Sequence, residues 1–150
     1  RLRCKSSGGS FCVGSWHGPV AFGAPDKVQM ATIQTALAAH ALLDFANGAP
    51  CLLAGDFNQT PEMVIRGQRL PNGPYTLLTA GELTLDDPHR PPEREGAEWA
   101  AALPSPFASA YAVANGAEPE LTTRAVMVEP RNPNPTPNAF VGTLDYIFTH

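Results

Sequence analysis

Cys51-Leu52-Leu53-Ala54-Gly55-Asp56-Phe57-Asn58-Gln59-Thr60-Pro61 decides how this chain is read. Its apolar opening predicts a buried strand, and Gly-Asp-Phe-Asn followed by a proline predicts where that strand stops. Side chains alternate along a strand, so Asp56 and Asn58 are expected on one side and Phe57 on the other. A carboxylate beside a carboxamide at a strand end suits phosphate-ester hydrolysis. The carboxylate orients or deprotonates a water, and the carboxamide holds that water or a phosphoryl oxygen without adding charge. Asp and Asn also favour turns after strands, which is the plainer explanation of the same residues.

A second stretch, Phe140-Val141-Gly142-Thr143-Leu144-Asp145-Tyr146-Ile147-Phe148, reads as one more apolar strand with a single acid in it. Its alternation puts Leu144, Tyr146 and Phe148 on one face and Thr143, Asp145 and Ile147 on the other. A carboxylate in so apolar a strand requires a partner, catalytic or structural.

Between these stretches and the N-terminus the sequence predicts a layered α/β unit. Residues 1–4 and 11–16 read as two strands joined by a turn over 5–10, a hairpin that delivers His17 at its end. Pro25-Asp26 opens a helix and Asn47-Gly48 closes it. Met30, Ile33, Leu37, Ala41 and Phe45 recur at steps of three and four, which predicts the core-facing stripe. Strand, helix, strand places the helix on the outside of a sheet. Beyond Pro61 a short helix is expected over 75–80, ended by Gly81, with loop over 83–94. Residues 95–102 have helical propensity without a stripe, and a strand is expected over 121–128. The proline-rich run 129–138 reads as an extended connection. His40, His89 and His150 are assigned no role.

The 150 residues are 43% hydrophobic, enough for one domain core. A formal charge of −4 argues against broad electrostatic binding to duplex nucleic acid, although a divalent cation can supply positive charge locally. No apolar run approaches the ~20 residues that span a bilayer. Cys4, Cys12 and Cys51 are odd in number and lack zinc-type spacing. They read as reduced, buried strand residues, which favours an intracellular, cytoplasmic setting.

Gly55-Asp56-Phe57-Asn58 and Leu144-Asp145-Tyr146-Ile147-Phe148 together resemble the endonuclease/exonuclease/phosphatase superfamily, which includes DNase I and the inositol polyphosphate 5-phosphatases. With Ser109-Ala110-Tyr111 and Glu118-Pro119-Glu120-Leu121-Thr122, the chain looks most like its deadenylase branch: the carbon-catabolite-repression deadenylases, nocturnin, angel and the 2′-phosphodiesterases. The resemblance implies a DNase I-like four-layer α/β sandwich, of which this chain would form the C-terminal half as part of a single domain. It implies magnesium (or manganese), held mainly by an Asn and a Glu of the other half. It also implies a catalytic His, in a Ser-Asp-His segment beyond residue 150, that hydrogen-bonds the acid matching Asp145.

By the same resemblance, Asp56 activates the water, and Asn58 and His17 contact the scissile phosphate. The family pattern is Asn-Thr-His-Leu where this chain has Ser15-Trp16-His17-Gly18. Phe140 matches an aromatic that stacks on a substrate base, and Phe22, between Pro19 and Pro25, stands near the place of the opposite wall. The deadenylase relatives have a shorter connection where residues 129–138 lie, so that run reads as an insertion. The implied partner is single-stranded RNA, with a 3′ poly(A) tail as the leading candidate. Phosphatase action on a dinucleotide or another small phosphorylated substrate, and a catalytically dead scaffold, are the alternatives.

A half sandwich leaves the inner face of its sheet uncovered. Residues 1–150 alone are therefore expected not to be stably folded, and, without the metal ligands and the catalytic His that the resemblance places elsewhere, to be inactive. Calorimetry checks this: a cooperative transition with a native-like heat-capacity change in the isolated chain would overturn it.

Overall fold

The computed structural model describes residues 1–21, 24–65, 67–92, 100–127 and 138–150. The chain opens with the hairpin of β1 (Leu2–Arg3) and β2 (Ser10–His17), closed by a tight turn in which Gly8 adopts a positive φ of 71°. Helix α1 (Pro25–Ala46) follows, with proline in its first turn, and ends where Asn47 turns left-handed and its N–H bonds the Leu43 carbonyl. Strand β3 (Cys51–Asp56) then lies parallel to β2, the predicted strand, helix, strand unit.

The rest of the chain adds a hairpin, β4 (Glu62–Ile65) and β5 (Gln68–Pro71), and the short helix α2 (Gly73–Ala80) ended by Gly81. Strand β6 (Ala108–Ser109) leads into α3 (Ala110–Asn115), which Ser109 caps through its hydroxyl. Strands β7 (Thr123–Met127) and β8 (Asn138–Gly142) pair with each other, and β9 (Asp145–Thr149) closes the described chain. The main sheet runs β1-β2-β3-β9-β6, with its two-residue strands at the edges, where they offer little backbone for unwanted pairing.

One face of this sheet is packed and the other is open. On the packed face Cys12, Leu53, Phe57, Tyr146 and Phe148 meet Leu42 of α1 and Leu77 and Leu78 of α2. Phe57 stands edge-on to Tyr146 and to Phe148, with centroids 5.7 and 5.1 Å apart. On the other face Val13 is 43% and Ile147 40% exposed, as expected for a sheet with helices on one side only. No helix among the described residues is long and apolar enough to cross a membrane.

Three expectations need correction. The buried stripe of α1 is Val28, Ala31, Thr32, Thr35, Ala36, Ala39, Leu42 and Ala46, whereas Met30, Leu37 and Phe45 are exposed and Ala41 faces solvent. Both stripes have helical spacing, so periodicity gives the period and not the phase. The small residues let the helix lie close enough for Leu42 to cover Gly14, where a Cβ would stand 3.4 Å from Leu42 Cδ2. Thr32 enters this face at low cost because its hydroxyl bonds the Val28 carbonyl.

The stretch 140–148 is two strands rather than one. The chain turns at Thr143-Leu144, where the Thr143 hydroxyl donates to the Pro119 carbonyl and the Leu144 carbonyl accepts from Phe57 N–H. Phe140 thus belongs to the β7-β8 pair, and Asp145 to the main sheet. The third correction concerns Cys4, which sits half-buried in the hairpin turn beside Ser6, while Cys12 and Cys51 are the buried strand cysteines. Hydrogen bonds from Ser6 and Ser7 draw its thiol down to about 6. The β4-β5 hairpin and α3 carried no sequence signal. Residues 128–137, most of the proline-rich connection, and residues 93–99 lie outside the described residues; 100–102, at the end of the segment with helical propensity, are not helical.

Gly55 holds the centre of the sheet together by what it lacks. Its φ is 144°, and a Cβ there would stand 2.0 Å from the Trp16 carbonyl oxygen on the neighbouring strand. Gly55→Ala is expected to destabilise the folded protein by ~3 kcal/mol or more. Thermal unfolding of the full-length protein checks this, and a midpoint within about 2 °C of wild type would contradict it.

Candidate active site

Parallel pairing of β2 and β3 puts His17 opposite Asp56, and antiparallel pairing of β3 and β9 puts Asp56 opposite Asp145. Three predicted site residues, from three separate parts of the sequence, therefore share one row across adjacent strands. Residues in register project from the same face. Here it is the open face, at the end where β2 and β3 both terminate.

Asp56 closes its strand. Its Oδ1 accepts the Asn58 backbone N–H at 2.8 Å, an Asx turn, and Oδ2 stands 4.0 Å from His17 Nε2. The His17 side chain is 79% exposed, against 38% for Asp56. Asn58 has left the strand with φ 52°, so turn geometry, and not strand alternation, sets its direction. It is buried, and its Nδ2 donates to the Gly18 carbonyl at 2.9 Å. An amide nitrogen carries two hydrogens, so this bond uses one of the two donors.

Asp145 is held from a segment that sequence reasoning had not connected to it. Thr122 and Thr123 both donate to its Oδ2 at 2.8 Å, and the Thr122 hydroxyl also accepts from the backbone N–H groups of Leu144 and Asp145 at 3.0 Å. The trace in the sequence is the family-like run Glu118-Pro119-Glu120-Leu121-Thr122, which ends on one of the two threonines. Trp16, on the opposite side of β2, packs against the core and leaves its Nε1 buried without a partner among the described residues. Gly18 has its own reason: a Cβ there would lie 2.4 Å from the Phe57 carbonyl oxygen, so the turn after His17 tolerates no side chain.

Phe140 stands apart from the row. It is half-buried beside Gly142, where a Cβ would approach Phe140 Cζ to 2.9 Å. Gly142 and Thr143 line a groove of about 530 Å³, walled by Glu62 and Arg69 of the β4-β5 hairpin and by Glu118 and Glu120. Glu118 also accepts the Tyr75 hydroxyl at 2.7 Å; burial, reinforced by this carboxylate, holds the Tyr75 phenol protonated well above its ordinary range. Phe22 lies outside the described residues. His40 bonds the Ala102 carbonyl and His150 the Ser105 hydroxyl. His89 is fully buried, and desolvation lowers its pKa against the pull of Asp87 at 3.6 Å.

The profile of the endonuclease/exonuclease/phosphatase family matches residues 5–150. The chain belongs to that family. The mixed α/β layer described above is consistent with the family's DNase I-like domain, and the family chemistry is hydrolysis of phosphate esters, in nucleic acids or other phosphorylated substrates. No curated protein sequence matches the chain.

The family typically works with a divalent metal. Among the described residues no three His, Cys, Asp or Glu side chains converge on one point, so this row does not form a complete cage. It does place two acids, Asp56 and Asp145, opposite each other in register. Magnesium commonly takes only one or two carboxylates together with substrate phosphate. Asp56 therefore fits as a contributing oxygen donor.

Thr122→Val removes the hydroxyl that meets both Asp145 and the backbone ahead of it. It is expected to cost ~1–3 kcal/mol, with Thr122→Ser restoring most of the loss. Urea denaturation of the full-length protein measures this. Equal midpoints for Thr122→Val and wild type would show that the bonds do not hold Asp145.

Proposed function

We propose that the row of His17, Asp56 and Asp145 forms part of the hydrolytic centre of a magnesium-dependent phosphodiesterase, of 3′ exoribonuclease type. The observation that carries this reading is the register, which brings an imidazole and two carboxylates side by side on the open face. Asp56 Oδ2, the oxygen that its own Asx turn leaves toward His17, orients and deprotonates the attacking water. His17 Nε2 donates to a phosphoryl oxygen as charge builds there, and the second Nδ2 hydrogen of Asn58 serves the same oxygen. Asp145, locked by two threonines, orients a histidine supplied from outside residues 1–150. A bound magnesium ion would supply charge neutralisation at the phosphate, with Asp56 among its donors.

For the substrate, the deadenylase-like motifs and an aromatic beside a groove support single-stranded RNA with a 3′ adenosine tail. An aromatic face accepts bases by stacking, at ~1–3 kcal/mol each. The acidic groove walls suit the sugar and base of a substrate better than a cluster of phosphates.

The experiment is magnesium-dependent hydrolysis by the full-length protein. One labelled single-stranded RNA ends in adenosines and another in different bases, with Asp56→Ala and Asp56→Asn alongside. Shortening confined to the adenosine tail and lost in both variants, which remain folded, is the expected result. Retained turnover in either variant would remove Asp56 from the mechanism. Failure to cleave either RNA would redirect the substrate to dinucleotides and small phosphorylated molecules, or leave a binding role.

A further inference from the structure

The His17 side chain is 79% exposed and its Nε2 stands 4.0 Å from Asp56 Oδ2, so side-chain packing does not set its place in the row. Its main chain does. Immediately after His17, Gly18 N–H bonds the Asp56 carbonyl at 2.8 Å and extends the parallel ladder by one step. The next handles are the carbonyls of Gly18 and Pro19, since Pro19 has no N–H to offer. Two consecutive side-chain amides take them. Asn58 Nδ2 holds the Gly18 carbonyl at 2.9 Å, and Gln59 Nε2 holds the Pro19 carbonyl at 3.2 Å.

Gln59 can do this only if its amide faces the right way, and a second buried amide decides that. Asn72 Nδ2 donates to Gln59 Oε1 at 3.0 Å, which commits Nε2 to Pro19. Gln59 and Asn72 are 2% and 1% exposed. Asn72 is fixed in turn by its backbone N–H on the Pro61 carbonyl. The Gln59 carbonyl accepts the Tyr146 hydroxyl at 2.9 Å, which joins the same unit to the strand carrying Asp145. Asn72 Oδ1 is buried with no partner among the described residues, an arrangement that lowers stability. A core of this kind gains from an apolar residue at position 72 unless the Nδ2 donor is needed.

We propose that Gln59 and Asn72 are positioning residues for catalysis: the chain Asn72, Gln59, Pro19 fixes the backbone after His17 and so holds the imidazole beside Asp56. This rests on the reading of His17 as a site residue. Neither Gln59 nor Asn72 touches substrate in this scheme.

The test is a double-mutant cycle in the full-length protein, with bis(4-nitrophenyl) phosphate as a generic phosphodiester beside the labelled RNA. Gln59→Ala removes the tether. Asn72→Asp keeps the volume and, assayed at a pH where the introduced carboxyl is ionised, presents an acceptor where Nδ2 donates, so Gln59 turns its amide over and offers Oε1 to the Pro19 carbonyl; the neutral carboxyl would donate to Gln59 Oε1 and spare the tether. Each is expected to lower kcat by ~10- to 100-fold with KM changed by less than about 3-fold, because misplacing a catalytic group by an ångström has effects of this size. In a His17→Ala background neither is expected to lower kcat further.

Multiplicative losses in that background, or full turnover by folded Asn72→Asp, would overturn the proposal. So would wild-type turnover by His17→Ala, although hydrolysis through Asp56 would then stand. A second readout needs no activity at all: amide exchange of Gly18 N–H is expected to accelerate at least ~10-fold in Asn72→Asp and in Gln59→Ala. Unchanged exchange overturns the proposal whatever the enzyme does. Acceleration in a protein inactive on every phosphodiester would retain the tether and reject the hydrolytic reading. If Gln59→Ala fails to fold, the isosteric Asn72→Asp carries both measurements.

Discussion

The parallel contact between β2 and β3 is the constraint on which the rest of the structure depends, and it exists because Gly55 has no side chain. With a Cβ position only 2.0 Å from the Trp16 carbonyl, no other residue allows the two backbones to meet in this register. The register sets His17 against Asp56, and the second pairing of β3, to β9, sets Asp56 against Asp145. A slip of one residue in either pairing would turn a member of the row to the helix side of the sheet. Gly18 repeats the device one step later, where the turn after His17 presses onto the Phe57 carbonyl.

Around this contact the two faces of the sheet take on different work. The helix side is sealed by aromatic rings: Phe57 stands edge-on to Tyr146 and Phe148, which stack on each other. Burial drives the Tyr146 phenol far above its ordinary range, so it stays protonated and its hydroxyl reaches the carbonyls of Gln59 and Thr143. These bonds pass rigidity from the core to the two loops that flank the row. The open side carries the exposed imidazole and the two carboxylates, at the edge of a surface that still shows Val13 and Ile147 to solvent. Rigid support behind and open space in front is what the proposed hydrolytic centre requires.

The buried amides extend the same logic. Asn58 and Gln59 hold the consecutive carbonyls of Gly18 and Pro19, Asn72 fixes the Gln59 amide, and Asn72 is itself anchored to backbone. Such a network is stiff because each donor has one place to go. Among the described residues, the side chains of Asp56 and His17 make no hydrogen bond apart from the Asx turn that aims the carboxylate.

The strand, helix, strand unit and the superfamily were legible in the sequence. The strand over 51–56, the helix from Pro25 to its left-handed end at Asn47, and the alternation of Leu144, Tyr146 and Phe148 all follow from spacing and punctuation, which act over a few residues. The sequence by itself did not determine the phase of α1, since two stripes of equal period compete and only the gap above Gly14 selects the smaller one. Nor did it separate Phe140 from Asp145, because the break at Thr143 is made by bonds to Pro119 and Phe57, distant in the chain. The bonds from the threonines to Asp145 and from the amides behind His17 were illegible for the same reason. Hydrogen bonds among residues 13 to 87 positions apart leave no periodic trace in a sequence. Local propensity thus supplied the strands and the helix, and long-range packing alone decided which side chains share the row and what holds them there.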